Sequence, residues 1–273
     1  MTTRLLTWDD LDACGTLAAT RNWGREEHKW RLLFELGEAW GIDAPDGDGL
    51  AATAVLVGYG HDTAVISMVL TAERYERQGF ASRVMTRVLE RAGGRVVSLH
   101  ATEFGRPVYE RLGFTTVGKV ASRTGVFTGG AAGTTRAFAE SDLPGILKLD
   151  ADVFGTDRAE LLRRMPVFHE RVRVLERGGR VAGYGGAWRN DASVVIGPVV
   201  AQDLGQAQEL IADLATGWDL PVRMDMDTRQ EGLMSWAAER GVESGFLNSL
   251  MVRGGDIPGD RSRQFLPAMV ALG

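Results

Sequence analysis

A strand, a short loop and a helix start follow one another between residues 69 and 82 of this 273-residue chain. The loop runs into the helix through the sequence Arg77-Gln78-Gly79-Phe80-Ala81-Ser82. The first turn of a helix leaves backbone N–H groups without intrahelical acceptors and is electropositive, so such a start can bind phosphate. Gly79 allows a close approach to a ligand, and Ala81 is too small to block it. The fragment alone is equally compatible with an ordinary strand-to-helix turn.

A second segment, downstream of the next strand, narrows the functional interpretation of the first segment. It reads Gly105-Arg106-Pro107-Val108-Tyr109-Glu110-Arg111-Leu112-Gly113-Phe114, which predicts a short helix with a tyrosine in its second turn and a Gly-Phe exit. Together the two segments resemble the GCN5-related N-acetyltransferase (GNAT) superfamily. In that family a strand, a pyrophosphate loop and a helix are followed by a strand and a tyrosine-bearing helix. The resemblance covers residues 2–120 in topology.

The resemblance implies an acetyl-CoA site where the strand ending at Thr71 splays from the strand ending at Ala101. The amides of three residues at the strand end would hold the pantetheine arm and polarise the thioester carbonyl. The amides of six residues in the loop would bind the pyrophosphate. These cofactor-binding candidates are Val69, Leu70 and Thr71, and then Arg77, Gln78, Gly79, Phe80, Ala81 and Ser82.

The same resemblance implies a catalytic role for Tyr109, which falls where the family keeps the general acid for the leaving CoA thiolate. A phenol with an ordinary pKa of about 10 can supply a proton at neutral pH. The acceptor would be a primary amine, which arrives mostly as ammonium and needs a base. The sequence does not assign that base. Glu38 and His100 are candidates, but a surface carboxylate and a hydrogen-bonded histidine are the favoured interpretations of the two.

Two positions depart from the family pattern. Glu76 stands where the loop usually begins with Arg or Gln, and a carboxylate there would repel a pyrophosphate. Either Glu76 points to solvent while Arg74 or Arg77 supplies the positive charge, or the domain binds CoA more weakly. Glu103 replaces an Asn that many members carry six residues before Tyr109, which alters the geometry expected there.

The second half of the chain repeats the first. Thr2-Thr3-Arg4 is followed by Asp10-Leu11, and Thr134-Thr135-Arg136 is followed by Asp142-Leu143 at the same spacing. Chance similarity between two α/β stretches is the alternative. This half also contains Phe154-Gly155-Thr156-Asp157-Arg158, Ile196-Gly197-Pro198 and Met224-Asp225-Met226-Asp227. With these segments it resembles the C-terminal domain of tandem GNAT proteins of the YitH-like kind.

A rival cofactor loop lies in that second half. Residues 202–207 spell the family's QxxGxA pattern, but they begin only two residues after Val200, which leaves little room for a pyrophosphate. Trp236 or Ala237 replaces the tyrosine. We therefore predict a degenerate copy that shapes the amine site, with cofactor binding at 202–207 as the alternative.

The periodicity of each half predicts a strand, two helices, a run of antiparallel strands, a helix, a strand, a helix and, in the first half, a last strand. The predicted fold class is α/β (α+β), with two tandem GNAT-like domains, each a mixed, mostly antiparallel twisted sheet flanked by helices. The predicted domains are residues 1–124 and 134–273. A glycine-rich linker, 125–133, joins them.

The composition, with 44% hydrophobic and 25% charged residues, is that of a folded globular protein. A net charge of −5 without a basic cluster predicts neither a nucleic-acid nor a membrane partner. Cys14 is the single cysteine, residues 1–8 lack a signal-peptide pattern and no apolar run is long enough for a membrane span, so we expect a cytoplasmic protein.

No metal is expected, because the four histidines are scattered. Asp225 and Asp227 alternate on a strand and could hold a metal or an ammonium group, but a solvated carboxylate pair is the favoured interpretation. The sequence thus predicts an acetyl-CoA-dependent N-acetyltransferase with a small-molecule amine as substrate, acting as a monomer or homodimer. A non-catalytic acyl-CoA-binding or regulatory protein is the alternative.

Overall fold

The computed structural model describes residues 2–273, which form eight α-helices and thirteen β-strands joined in one sheet. Met1, the first residue of the segment inspected for a signal peptide, lies outside the described residues. The first half contains β1 (Arg4–Leu5), α1 (Leu11–Thr20), α2 (Glu27–Leu36), β2 (Glu38–Asp43), β3 (Leu50–Tyr59), β4 (Thr63–Thr71), α3 (Phe80–Ala92), β5 (Val96–Ala101), α4 (Arg106–Arg111) and β6 (Thr115–Gly125). The second half contains β7 (Arg136–Ala137), α5 (Leu143–Phe154), α6 (Ala159–Phe168), β8 (Arg171–Arg177), β9 (Arg180–Arg189), β10 (Val194–Val200), α7 (Leu204–Ala215), β11 (Val222–Asp227), α8 (Glu231–Ala238), β12 (Ser244–Arg253) and β13 (Gln264–Leu266).

The predicted fold class is confirmed, since the sheet is mixed and mostly antiparallel. Within the described chain, only β4 with β5 and β10 with β11 pair in parallel. Each parallel pair is joined by a crossover helix, α3 or α7, as a parallel connection requires. In residues 2–273 none of the helices combines the length and the apolar content that a membrane crossing needs.

The internal repeat makes the same contacts in both halves. Arg4 donates two hydrogen bonds to the Asp10 carboxylate, at 2.9 and 2.7 Å, and Arg136 donates two to Asp142, both at 2.7 Å. Each aspartate also accepts from the backbone N–H three residues before it, at 2.8 Å. A charge-assisted bidentate pair therefore fixes the entry of the chain into the first helix of each half.

The halves exchange the strands β6 and β12. The sheet order is β1-β2-β3-β4-β5-β12-β6-β11-β10-β9-β8-β7, with β13 beside β10. Thus β12 of the second half lies between β5 and β6, and β6 of the first half lies between β12 and β11. The strand β6 runs to Gly125, five residues beyond the predicted end at Val120, because residues 120–125 pair with β11. The sheet is continuous across 125–133, and the domain division proposed there stays a prediction.

The exchange predicts that neither half folds alone. Residues 1–133 expressed by themselves would lack β12 and β11, the two neighbours of β6, and would expose the edge of β5. They would also lose Met251, Met269 and Leu272, second-half residues buried in the first-half core. We expect this fragment to show no cooperative thermal transition by circular dichroism and to regain one when co-expressed with residues 134–273. A cooperative melt of the isolated fragment would contradict the exchange.

Candidate active site

The strands β4 and β5 separate partway along their length. Their parallel register runs from Thr63↔Val96 to Val65↔Ser98 and then ends, although both strands continue. On its other side β4 carries a bulge, where the register with β3 jumps between Val55↔Ser67 and Thr53↔Leu70. Among residues 2–273, no strand pairs with the β5 side of residues 66–71, so this edge of the backbone is open.

The bulge is held by its own hydrogen bond. Met68 adopts a φ of +48°, which is uncommon outside glycine. The buried Thr53 hydroxyl donates to the Met68 carbonyl at 2.9 Å. Bulges bend a strand and re-aim its groups. Val69, Leu70 and Thr71, the predicted pantetheine-binding residues, lie directly after this bend on the open edge.

The loop that follows leaves a run of backbone N–H groups unpaired. A single 3₁₀ turn, Glu73–Tyr75, leads into residues 76–79, and α3 begins at Phe80. No acceptor within the described residues takes a hydrogen bond from the backbone N–H of residues 77–82. The predicted pyrophosphate-binding residues therefore present six free donors at the start of a 13-residue helix.

A glycine is needed at position 79 because of the backbone conformation, and not because neighbouring atoms leave no room for a side chain. Its φ is +80°, in the left-handed region, and a Cβ built there would meet no atom within 4 Å. The space that a side chain would fill is therefore open to a ligand.

The charges around the loop show where Glu76 and the two loop arginines lie. Its carboxylate does not point into solvent alone but pairs with the Arg21 guanidinium at 2.6 Å. Arg74 is held by Asp46, at 3.0 Å, and by the Asp48 carbonyl, at 2.6 Å. Arg77 forms no ion pair with any residue that the structure describes, so it is the loop arginine whose charge remains available.

Tyr109 lies on α4 with its ring packed and its hydroxyl free of protein partners. The ring is 7% exposed and meets Phe114 edge-on, at 6.1 Å between centroids. Its other side covers Gly105, where a Cβ would stand 3.1 Å from the ring. In residues 2–273 no group forms a hydrogen bond with the hydroxyl. Burial raises the pKa of the Tyr109 phenol well above its usual value, so the phenol keeps its proton at neutral pH.

The two candidate bases have different surroundings. Glu38 accepts from Arg91, at 2.9 and 2.6 Å, and from the Trp40 indole at 3.1 Å. The Arg91 hydrogen bond lowers the pKa of this carboxyl, which makes Glu38 a surface ion-pair member and a weak base. His100 lies on β5, two residues beyond Ser98, and is described further below. Glu103, the departure near Tyr109, is exposed in the loop before α4.

The equivalent opening in the second half is closed. The strands β10 and β11 pair only from Val194↔Val222 to Ile196↔Met224, but β13 then pairs with the end of β10. The start of α7 is also occupied, because the Asp203 carboxylate accepts from the Gln206 N–H at 2.9 Å. A carboxylate thus takes the place that a phosphate would need.

The carboxylates Asp225 and Asp227 are not a solvated pair, so that expectation is wrong. Asp225 is 2% exposed and accepts from Ser122, at 2.5 Å, and from Arg223, at 3.0 Å. Asp227 pairs with Arg229 and Arg261, both at 2.7 Å. Buried carboxylates are retained when they are paired in this way. Residues 2–273 contain no group of three or more His, Cys, Asp or Glu side chains arranged to hold a metal ion.

Comparisons with known proteins identify one domain family in both halves. Residues 47–128 and residues 146–266 each match an acetyltransferase (GNAT) domain family. The chain is 27% identical over 237 residues to the uncharacterized N-acetyltransferase YitH of Bacillus subtilis, which covers 85% of this chain and 82% of YitH.

Solved structures show the same fold. A crystal structure of a proposed acetyltransferase from Pyrococcus horikoshii superposes with a TM-score of 0.85 at 17% identity, covering 100% of this chain and 95% of that one. A tandem GNAT protein from the clavulanic acid biosynthesis pathway superposes with a TM-score of 0.63 at 12% identity, covering 95% and 99%. With a GNAT domain in each half, the chain belongs to the GNAT superfamily of acyltransferases as a tandem protein of the YitH-like kind.

Proposed function

We propose that the first half transfers an acetyl group from acetyl-CoA to the primary amine of a small molecule. The observation that carries the proposal is the open edge of β4 followed by six unpaired N–H groups in residues 77–82. An extended thioester arm fits an unpaired strand edge, and a diphosphate fits a helix start with free donors.

In this proposal each group of the chain has one task. The amides after the Met68 bulge bind the pantetheine arm and polarise the thioester carbonyl. The amides of 77–82 and the Arg77 guanidinium hold the pyrophosphate. Tyr109 gives its proton to the sulfur as the C–S bond breaks. The second half, whose own opening is filled by β13, supplies β12 beside β5 and walls the acceptor side.

Thiol release from acetyl-CoA, followed with a panel of amines, tests the proposal. Amine-dependent release supports an enzyme. Tight CoA binding without release for any amine would favour a non-catalytic acyl-CoA-binding protein instead. Cofactor binding at 202–207 is the weaker alternative, because Asp203 and β13 occupy that position.

The Glu76 pair gives a smaller, separate prediction. In Glu76→Gln the carboxylate no longer opposes the pyrophosphate, and Arg21 is released toward it. We expect the Kd for CoA to fall by about two- to fivefold at low salt and the gain to shrink at high salt, as for exposed charges. Isothermal titration calorimetry at two salt concentrations measures this. Glu73→Gln, the same charge change one turn earlier, is the control, and an equal gain in both variants would contradict a specific role for Glu76.

A further inference from the structure

A cavity of about 120 Å³ is lined by residues of both halves. Val65 of β4 and Ser98 and His100 of β5 form one wall, and Phe265 and Leu272 from the second half form another. Val65 and Ser98 are the last register pair before β4 and β5 separate. The cavity therefore reaches the point at which the strand edge opens.

His100 carries an unpaired ring nitrogen at this point. Its Nδ1 lies 2.9 Å from the Val270 carbonyl oxygen. A carbonyl can only accept, so Nδ1 carries the hydrogen and Nε2 carries a lone pair. Nε2 has no partner within residues 2–273, and His100 lines the cavity. A ligand in the cavity can thus donate to Nε2.

The opposite strand presents a second unpaired group. Ser67 lies two residues beyond Val65, on the part of β4 that no longer pairs with β5. Its hydroxyl is buried and without a partner in the described chain. A buried hydroxyl is costly when unpaired, so a ligand at this position would satisfy it. Each of the two strands therefore carries one polar group without a protein partner just beyond the last register pair.

The remaining wall selects the kind of ligand. Most of it is carbon, contributed by Val65, Val96, Val120, Leu250, Phe265 and Leu272. Its charged groups are already paired, Arg261 with Asp227 at 2.7 Å and Arg158 with Asp150 at 2.8 Å. None of the charged side chains on this wall is left unpaired to bind a polycation or a polyanion. A monoamine with a compact apolar body fits the wall.

We propose that this interdomain cavity binds the acceptor, a primary monoamine with a compact apolar body, and that His100 is its general base. The inference rests on the proposed function. The ammonium group gives one proton to Nε2, and the free amine forms the C–N bond to the acetyl carbon. The C–S bond breaks, the thiolate takes the Tyr109 proton, and the proton lost from the acylated nitrogen reprotonates Tyr109. His100 releases its proton to solvent, so the net products are an amide, CoA thiol and one proton.

The charges facing His100 are consistent with a neutral ring. Burial lowers its pKa, the Val270 carbonyl, Asp225 and Asp227 raise it, and Arg261 lowers it. Tyr59 and Arg158 line the same cavity. The depressed pKa keeps Nε2 unprotonated, and thus able to accept a proton, at neutral pH.

The first test uses the pH dependence of His100→Gln. With 2-phenylethylamine as acceptor, we expect kcat at pH 7 to fall about 100-fold relative to wild type. The deficit should shrink to a few-fold above about pH 10, where a primary amine is itself deprotonated. Trp188→Phe is the control, since it removes another hydrogen bond to the same segment, from the indole to Ala268, and should leave the shape of the pH profile unchanged. A deficit that is constant with pH, or full activity of His100→Gln, would overturn the inference.

The second test fills the cavity. Val120→Phe places a larger side chain inside it, and we expect the KM for 2-phenylethylamine to rise at least tenfold while the Kd for CoA stays constant. Val117→Phe, on the same strand but 40% exposed, is the matched control and should change neither. Wild-type turnover of spermidine or glucosamine in preference to the monoamine would refute the assigned class. Absence of thiol release by wild type with every amine would remove the proposed function together with this inference.

Discussion

Tyr109→Phe is expected to lower kcat for amine-dependent thiol release by about 10²- to 10⁴-fold, the range for loss of a general acid. Its Kd for CoA should stay constant, because the cofactor amides lie elsewhere. Stability should also hold, because the hydroxyl makes no hydrogen bond within the described residues and the ring packing on Phe114 is retained. Stopped-flow or steady-state thiol detection with calorimetry measures both quantities.

Tyr184→Phe is the control, because it should affect stability and leave catalysis unchanged. Tyr184 is fully buried in the second half and donates to Asp150, which also pairs with Arg158. Removing its hydroxyl leaves a buried carboxylate with one donor fewer, so we expect a lower melting temperature and an unchanged kcat. If Tyr109→Phe retained wild-type turnover, Tyr109 would not be the acid.

The second large effect is expected at Gly79. Valine there must adopt a φ near +80°, a conformation that costs about 1–3 kcal/mol outside glycine, and its side chain projects into the space beside the free amides. We expect the Kd for CoA to rise at least about tenfold in Gly79→Val. Equilibrium binding of CoA, followed by calorimetry, is the measurement.

Gly205→Val is the matched variant in the second half. A Cβ at Gly205 meets only the Asp203 carboxylate, at 3.4 Å, and the helix start is already capped. Its Kd for CoA should match that of wild type. The reverse pattern, with Gly205→Val impaired and Gly79→Val normal, would move the cofactor to the second half.

Local features of the sequence predicted the local structure well. The strand Thr63–Thr71 has the predicted bounds. An apolar run between two turn signals can be recognised as a strand from the local sequence alone. The loop at Gly79 was predicted for a similar reason, since a glycine before a helical period marks a helix start. Asp203 with Gln206 was also readable as a helix cap, and reading it would have weakened the rival loop at once.

Contacts between distant segments were not predictable from one sequence. No secondary structure was predicted for the segment Ser244–Arg253, which forms β12. Even a clear strand pattern would not show which other strands the segment pairs with. Arg21, which pairs with Glu76, lies far away in sequence, so only the fold brings the two together. The filling of the second opening by Gln264–Leu266 depends on a three-residue strand, too short for a periodic signal.

The crossed-over strands β6 and β12 bear on how such a chain can change over generations. In the second half β13 fills the opening beside β10, and under the proposed function that half would be freed from selection on chemistry. Its gene segment still cannot be deleted or shuffled to another protein, since the partner half would lose a strand from the middle of its sheet. Duplication followed by exchange therefore makes each half a permanent structural component of the other.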